Sequence, residues 1–217
     1  MNQGLLGYVG PRNADPHNLY VGRWSPWTYF TITTQPGNGT CNLASGTIIC
    51  WPMFVPGRVT YDAWYCTTST GQTGTTGAQI TIGLYDGDFL APGQLIHNCG
   101  TLTTTATGFV EYTTRFGPVT LDAGVVWVAA LASNYGATAP SWRCWNSTQL
   151  VSPHGATFAT SDDMITTNAQ TAKGQHGWRA TGVSGLPADW QTLSPVAHTR
   201  ADSDGLIGGG FRIARPR

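Results

Sequence analysis

Charge is what this chain has least of. Only 10% of its 217 residues are charged, against about 25% in an ordinary soluble domain. There is one lysine, Lys173, and one glutamate, Glu111, and the 11 basic and 11 acidic residues cancel. A neutral chain with a single lysine has no electrostatic means of holding DNA or RNA phosphates, which excludes nucleic-acid partners. Glu, Lys, Leu and Met, the residues that fill helices, are scarce, which argues against a helical bundle or an α/β enzyme. Long apolar runs are missing too. The longest, Gly124 to Ala132, has nine residues, under half of the roughly 20 that a spanning helix needs. No membrane insertion is expected. The start, Met1 to Gly10, has neither the basic nor the apolar stretch of a signal peptide. The expectation is therefore synthesis in a cytoplasm and exit, if any, by a route such as cell lysis.

Cysteine adds little. The five are Cys41, Cys50, Cys66, Cys99 and Cys144, an odd number with no CxxC pair. That is neither a disulfide framework nor a zinc site. Buried thiols acting as small apolar residues are the plain reading. A Cys41–Cys50 hairpin bridge is the alternative, if the chain meets an oxidising medium.

Catalytic motifs are missing as well. There is no GxSxG, no HExxH, no GxxxxGK[ST] and no GxGxxG following a strand. None of the five histidines lies three or four residues from another. Glycoside hydrolysis usually needs two facing carboxylates, and the only glutamate, Glu111, sits on an expected strand. The paired aspartates Asp86/Asp88, Asp162/Asp163 and Asp202/Asp204 lie in turn contexts. There they accept backbone N–H groups. Asp202-x-Asp204-Gly205 places Ile213 where a calcium loop needs glutamate. The reading is of a non-enzyme with no metal and no cofactor.

What is present is strand and turn chemistry: 32 threonines, 28 glycines, 13 prolines and 9 tryptophans. With 41% hydrophobic residues the chain can build a core and is not disordered. Residues 1–46 read as an N-terminal arm, with aromatics between turn formers and one strand near Trp27–Thr34. From Thr47 the pattern is regular. Thr47–Phe54 is an expected strand. Val59–Cys66 alternates, with Val59, Tyr61, Ala63 and Tyr65 on one face and Thr60, Asp62, Trp64 and Cys66 on the other. Thr67–Gly77 reads as a loop. Gln79–Tyr85, Leu95–Thr103 and Phe109–Phe116 follow as strands. Val125–Leu131 is continuously apolar and suits a strand buried on both faces. Strands at this spacing, with turns between them, give an all-β, jelly-roll-type β-sandwich over residues 47–135. Residues 136–217 read as an irregular C-terminal extension with closing strands of the same domain. Within it Thr160–Lys173 is an expected short helix, while Trp178–Val183 and Phe211–Ile213 are expected strands.

Binding candidates come from aromatics. Trp142 and Trp145, with Tyr135, Arg143 and Asn146, stand in a polar stretch just past the Val125–Leu131 strand. Aromatics at loop tips stack on sugar rings or form subunit hot spots. A loop that folds back and buries its own tryptophans is the alternative. In the arm, Tyr20, Trp24, Trp27 and Tyr29 are candidate anchoring or interface residues.

Four segments occur in an ordered set: "FVPGRVTYDAWY" (Phe54–Tyr65), "ITIGLYDGDFLAPGQLI" (Ile80–Ile96), "GTLTTTATGFVEYT" (Gly100–Thr113) and "VTLDAGVVWVAALAS" (Val119–Ser133). "SGLPADW" and "GGFRIARPR" close the chain. The set resembles the jelly-roll module of tailed-bacteriophage virion surface proteins, among them tail fibres, minor tail proteins and head-decoration proteins. The resemblance covers about 85 residues well and does not reach the first 45. It implies a virion structural role, usually as a homotrimer, with loops facing the host or the medium, and it carries no catalytic residues. The expectation is a non-enzymatic tail fibre or minor tail protein at the virion surface. It would contact other virion proteins and serve attachment to the host surface, with a host-surface glycan as a further partner. A capsid decoration or head-fibre protein is one alternative. A stand-alone carbohydrate-binding module is the other.

Overall fold

The computed structural model describes residues 27–28, 39–55, 57–70, 77–88, 90–103, 110–134, 141–145, 156–157, 173–199, 206–207 and 209–214. In chain order the strands are β1 (Trp27–Thr28), β2 (Gly39–Cys41), β3 (Ile48–Val55), β4 (Val59–Thr70), β5 (Gln79–Gly87), β6 (Pro92–Thr103) and β7 (Val110–Leu121). They continue with β8 (Gly124–Ser133), β9 (Ser141–Trp145), β10 (Ala156–Thr157), β11 (Lys173–Ala180), β12 (Val196–Thr199), β13 (Leu206–Ile207) and β14 (Gly209–Ile213). One turn of 3-10 helix, Trp190–Thr192, stands between β11 and β12.

The protein is an all-β sandwich of two antiparallel sheets. The first runs β1-β14-β4-β9-β13, with β7 on β4 and β2 on β9. The second runs β10-β11-β3-β8-β5-β6, with β12 on β11. The alternation in the sequence explains the packing. Ile80, Ile82 and Leu84 of β5 and Val126, Val128, Ala130 and Ala132 of β8 point into the space between the sheets. There they meet Val59, Tyr61, Trp64 and Phe211 from the first sheet.

The intervening residues of β8 are equally buried. Trp127, Ala129 and Leu131 join Ile48, Cys50 and Tyr85 in a second apolar cluster on the outer face of the second sheet. The Val125–Leu131 run is therefore buried on both faces, as its continuous apolarity predicts. The cover over the outer face is the segment 181–195, a strap that leaves β11, crosses the sheet and returns to β12. Val183, Leu186, Trp190 and Leu193 pack from it onto the second cluster. It is pinned at both ends: the Val183 amide donates to the Gly46 carbonyl (2.9 Å) and the Leu95 amide to the Ala188 carbonyl (2.8 Å). In between, the Tyr85 hydroxyl donates to the Pro187 carbonyl at 2.9 Å. Gly83 makes room for it: a Cβ there would lie 2.9 Å from Leu186 Cδ1.

Several expectations are corrected. Strict alternation through Val59–Cys66 fails, because the pairing of β4 with β7 shifts register between Tyr61 and Ala63. A bulge of this kind moves later residues by one position. Tyr61, Trp64 and Cys66 thereby share the inner face, while Ala63 and Tyr65 do not belong to that cluster. β4 also runs on to Thr70, so the expected loop begins later. The start of the extension expected to be irregular from residue 136 is not so throughout, since β9 lies within it. Cys50 is a free buried thiol, which removes the Cys41–Cys50 bridge. The expected helix falls outside the described residues except for Lys173, which opens β11. The sandwich takes in residues before Thr47: β2 pairs with β9, and Leu43 is fully buried in the inner core.

Candidate functional site

The aromatic candidates separate. Trp142 is fully buried in the core between the sheets. It lies on β9, opposite Thr68 of β4 and Cys41 of β2. Its expected place at an exposed loop tip is corrected: a strand flanked on both edges carries it inward. Arg143 and Trp145 lie on the same strand, opposite Thr40 and Leu206. Tyr135 and Asn146 lie outside the described residues, as do Tyr20, Trp24 and Tyr29. Trp27 begins β1, which lies along β14 opposite Arg212. Of the other tryptophans with described side chains, Trp51, Trp64, Trp127 and Trp190 are buried and Trp178 is half-buried.

The aspartates of the β5–β6 turn are structural. The Leu90 and Ala91 amides donate to Asp88 Oδ1 at 2.7 and 2.9 Å, and the Gln94 amide donates to Asp86 Oδ1. The Ala91 and then the Leu90 amide hold the Asp88 carboxyl below the usual aspartate range, because they stabilise its charged form. Two indoles secure the same turn: Trp127 Nε1 donates to the Asp88 carbonyl (2.8 Å) and Trp178 Nε1 to the Leu90 carbonyl (3.0 Å). Among the described residues, no group of three or more His, Cys, Asp or Glu is placed to hold a metal ion.

What the fold does bring together is a polar ledge on the outer face of the second sheet. Three register rows build it across β8, β5 and β6. The first holds Ala129, Gly83 and Asn98, the second Leu131, Thr81 and Thr101, the third Ser133, Gln79 and Thr103. Side chains on one face of a strand recur every second residue, so Gln79 and Thr81 face outward while Ile80 and Ile82 fill the core. Leu186 of the strap lies over Gly83, and beyond it the residues of β5 and β6 in these rows are polar, while Leu131 of β8 stays in the apolar cluster. Thr81 and Thr101 share a hydroxyl hydrogen bond of 2.8 Å. Gln79 Oε1 accepts from Asn134 Nδ2 at 2.7 Å and from Ser133 Oγ at 3.5 Å. Gln79 Nε2 donates to Thr103 Oγ1 at 3.5 Å. Asn98 Oδ1 accepts from the Gly100 amide at 2.9 Å. Asn134 holds the left-handed backbone at φ 54°, a conformation asparagine tolerates better than most residues. The ledge residues carry no charge, and Asn98, Thr101, Thr103 and Asn134 are exposed.

The alternation placing Gln79 and Thr81 opposite to Ile80 and Ile82 was visible in the sequence. The position of the strap, which decides how much of that face stays open, was not. Neither family models nor curated proteins show a match to this chain.

Proposed function

We propose that this chain is a non-enzymatic structural protein of a tailed-bacteriophage virion. In this reading it is tail-associated, as a tail fibre or minor tail protein, assembles as a homotrimer and helps attach the particle to the host surface. The observation that carries the reading is how the four family-like segments are used. They supply β4, the β5–β6 hairpin, the ends of β6 and β7, and β8, and the Asp86 and Asp88 carboxylates accept backbone amides within the β5–β6 turn. That is how a scaffold uses carboxylates. Arg143 and Trp145, with Tyr135 and Asn146, are the proposed contacts of the neighbouring segments. Tyr20, Trp24, Trp27 and Tyr29 are the proposed anchors to other virion proteins. A capsid decoration protein is the second reading, favoured by the way the N-terminal segment adds β1 and β2 to a sheet edge.

Immunogold labelling of intact particles with an antibody to this chain tests the proposal. Gold at the tail tip or baseplate is the expected result. Gold spread over the head moves the assignment to decoration, and unlabelled particles overturn the virion reading.

A further inference from the structure

We infer that the ledge formed by Gln79, Thr81, Asn98, Thr101, Thr103 and Asn134 is a binding site for a neutral, hydroxyl-rich glycan. The inference deepens the attachment reading and rests on it for where the glycan is met. The recognition chemistry comes from the ledge itself.

The ligand class follows from the side chains. An anion would call for Arg or Lys, and a cation for carboxylates. The ledge offers neither, only amides and hydroxyls. Each of these is donor and acceptor at once, which matches sugar hydroxyls. The groups are also held in place before any ligand arrives. Asn134 fixes Gln79, and Thr81 and Thr101 fix each other, which lowers the ordering cost of binding. Binding capacity remains after these bonds. Among the described residues, Asn98 is engaged through its oxygen alone, on the Gly100 amide, which leaves both amide protons for a ligand. A hydroxyl pair sharing one hydrogen bond keeps the second proton. Leu186 is the strap residue over Gly83, and beside it Asn98, Thr101, Thr103 and Asn134 are exposed. The site is shallow and built on strands, which suits weak contacts repeated over many copies on a particle.

The test is native-gel affinity electrophoresis of the full chain in gels containing dextran, mannan, soluble starch or galactan, with polyanionic alginate as the charged counterpart. At least one neutral polysaccharide should retard the protein, and alginate should not. The double variant Thr81→Val, Thr101→Val keeps β-branched residues in both strands and should fold with unchanged circular dichroism. Its affinity should fall about tenfold, as expected for the loss of two hydroxyls that hydrogen-bond the ligand. Asn98→Ala, which breaks only a local bond to Gly100, should weaken binding independently. The inference is overturned if no neutral polysaccharide retards the protein. It is also overturned if both variants bind like the original chain, or if alginate alone binds. These results are independent of where gold labels the particle, so failure of the glycan site and failure of the virion reading are told apart.

Discussion

Removing the ring of Trp190 should detach the strap from the sandwich. Trp190 is 1% exposed and meets Tyr85 edge-on, with ring centroids 5.7 Å apart and planes at 81°. A buried tryptophan withdraws up to roughly 250 Å² from water, about 6 kcal/mol at 25 cal/mol per Å². Two terms reduce that figure. The extended-chain reference overstates burial, and Trp190 Nε1 is buried with no hydrogen-bond partner among the described residues, an arrangement that costs about 1–3 kcal/mol. Trp190→Ala should therefore destabilise by about 3–5 kcal/mol, the usual range for deleting a core tryptophan. At roughly 2–4 °C per kcal/mol for a chain of this size, Tm should drop by about 10 °C. Hydrogen exchange gives the location. The Leu95 and Val183 amides, which bond to Ala188 and Gly46, should lose protection before the β3–β8 ladder does. Trp190→Phe keeps a ring against Tyr85 and removes the unpaired N–H, so its cost should be about 1 kcal/mol. If Trp190→Ala leaves Tm within about 2 °C and the Leu95 amide stays protected, the strap is held by something else and the reasoning fails.

Two ion pairs should differ in worth. Arg212 grips Asp62 through two bonds of 2.7 Å with side chains 21% and 25% exposed, so Asp62→Asn should cost about 1–2 kcal/mol in thermal melts. Arg58 and Asp122 stand 3.7 Å apart at 79% and 86% exposure, and Asp122→Asn should cost under about 0.5 kcal/mol. Equal costs would contradict this ranking. The β5–β6 turn should respond to acid. Asp88 has a lowered carboxyl pKa in the folded chain, so its contribution is full above its ordinary value of 3.8 and fades as pH falls through the lower folded value. The indole N–H resonances of Trp127 and Trp178, which report on this turn, should shift below about pH 4. In Asp88→Ala they should be displaced already at pH 7 and flat below. Burial raises the thiol pKa of both Cys50 and Cys99. A thiol reagent at pH 8 should label neither until denaturant is added, because the thiolate is the reactive form. Rapid labelling of either native thiol, read by peptide mass spectrometry, would refute their burial.

Period-two alternation was enough to read β5, a continuous apolar run to read β8, and strand spacing with turn residues to read the all-β class, because those features follow local rules. Features set by distant partners were harder to see. The bulge after Tyr61 depends on pairing with β7 and β14, and Arg212, which clamps Asp62 beside it, lies 150 residues away. β9 is five residues long and contains Arg143, so its local preference is weak. It forms because β4 and β2 flank it. Trp142 and Cys144 do alternate with Ser141, Arg143 and Trp145, a faint strand signal that the tryptophan pair obscured.

The ledge shows why a face can be read where a site cannot. Gln79 and Thr81 are outward by periodicity alone, and so are Gly83 and Tyr85 further along the same strand. Nothing local distinguishes the first pair from the second. The distinction is made by residues 183–193, which bury Tyr85 under Trp190 and press Leu186 onto Gly83 but leave Thr81 beside an open edge. Along β5 the composition fits that division: glycine and tyrosine where the strap lies, amide and hydroxyl where it does not. Extending the strap's cover should therefore be as damaging to glycan retention as removing the hydroxyls. Thr101→Trp, placed on the exposed row next to Leu186, should abolish retention in the polysaccharide gels with Tm unchanged. Retention equal to that of the original chain would mean that the glycan lies elsewhere.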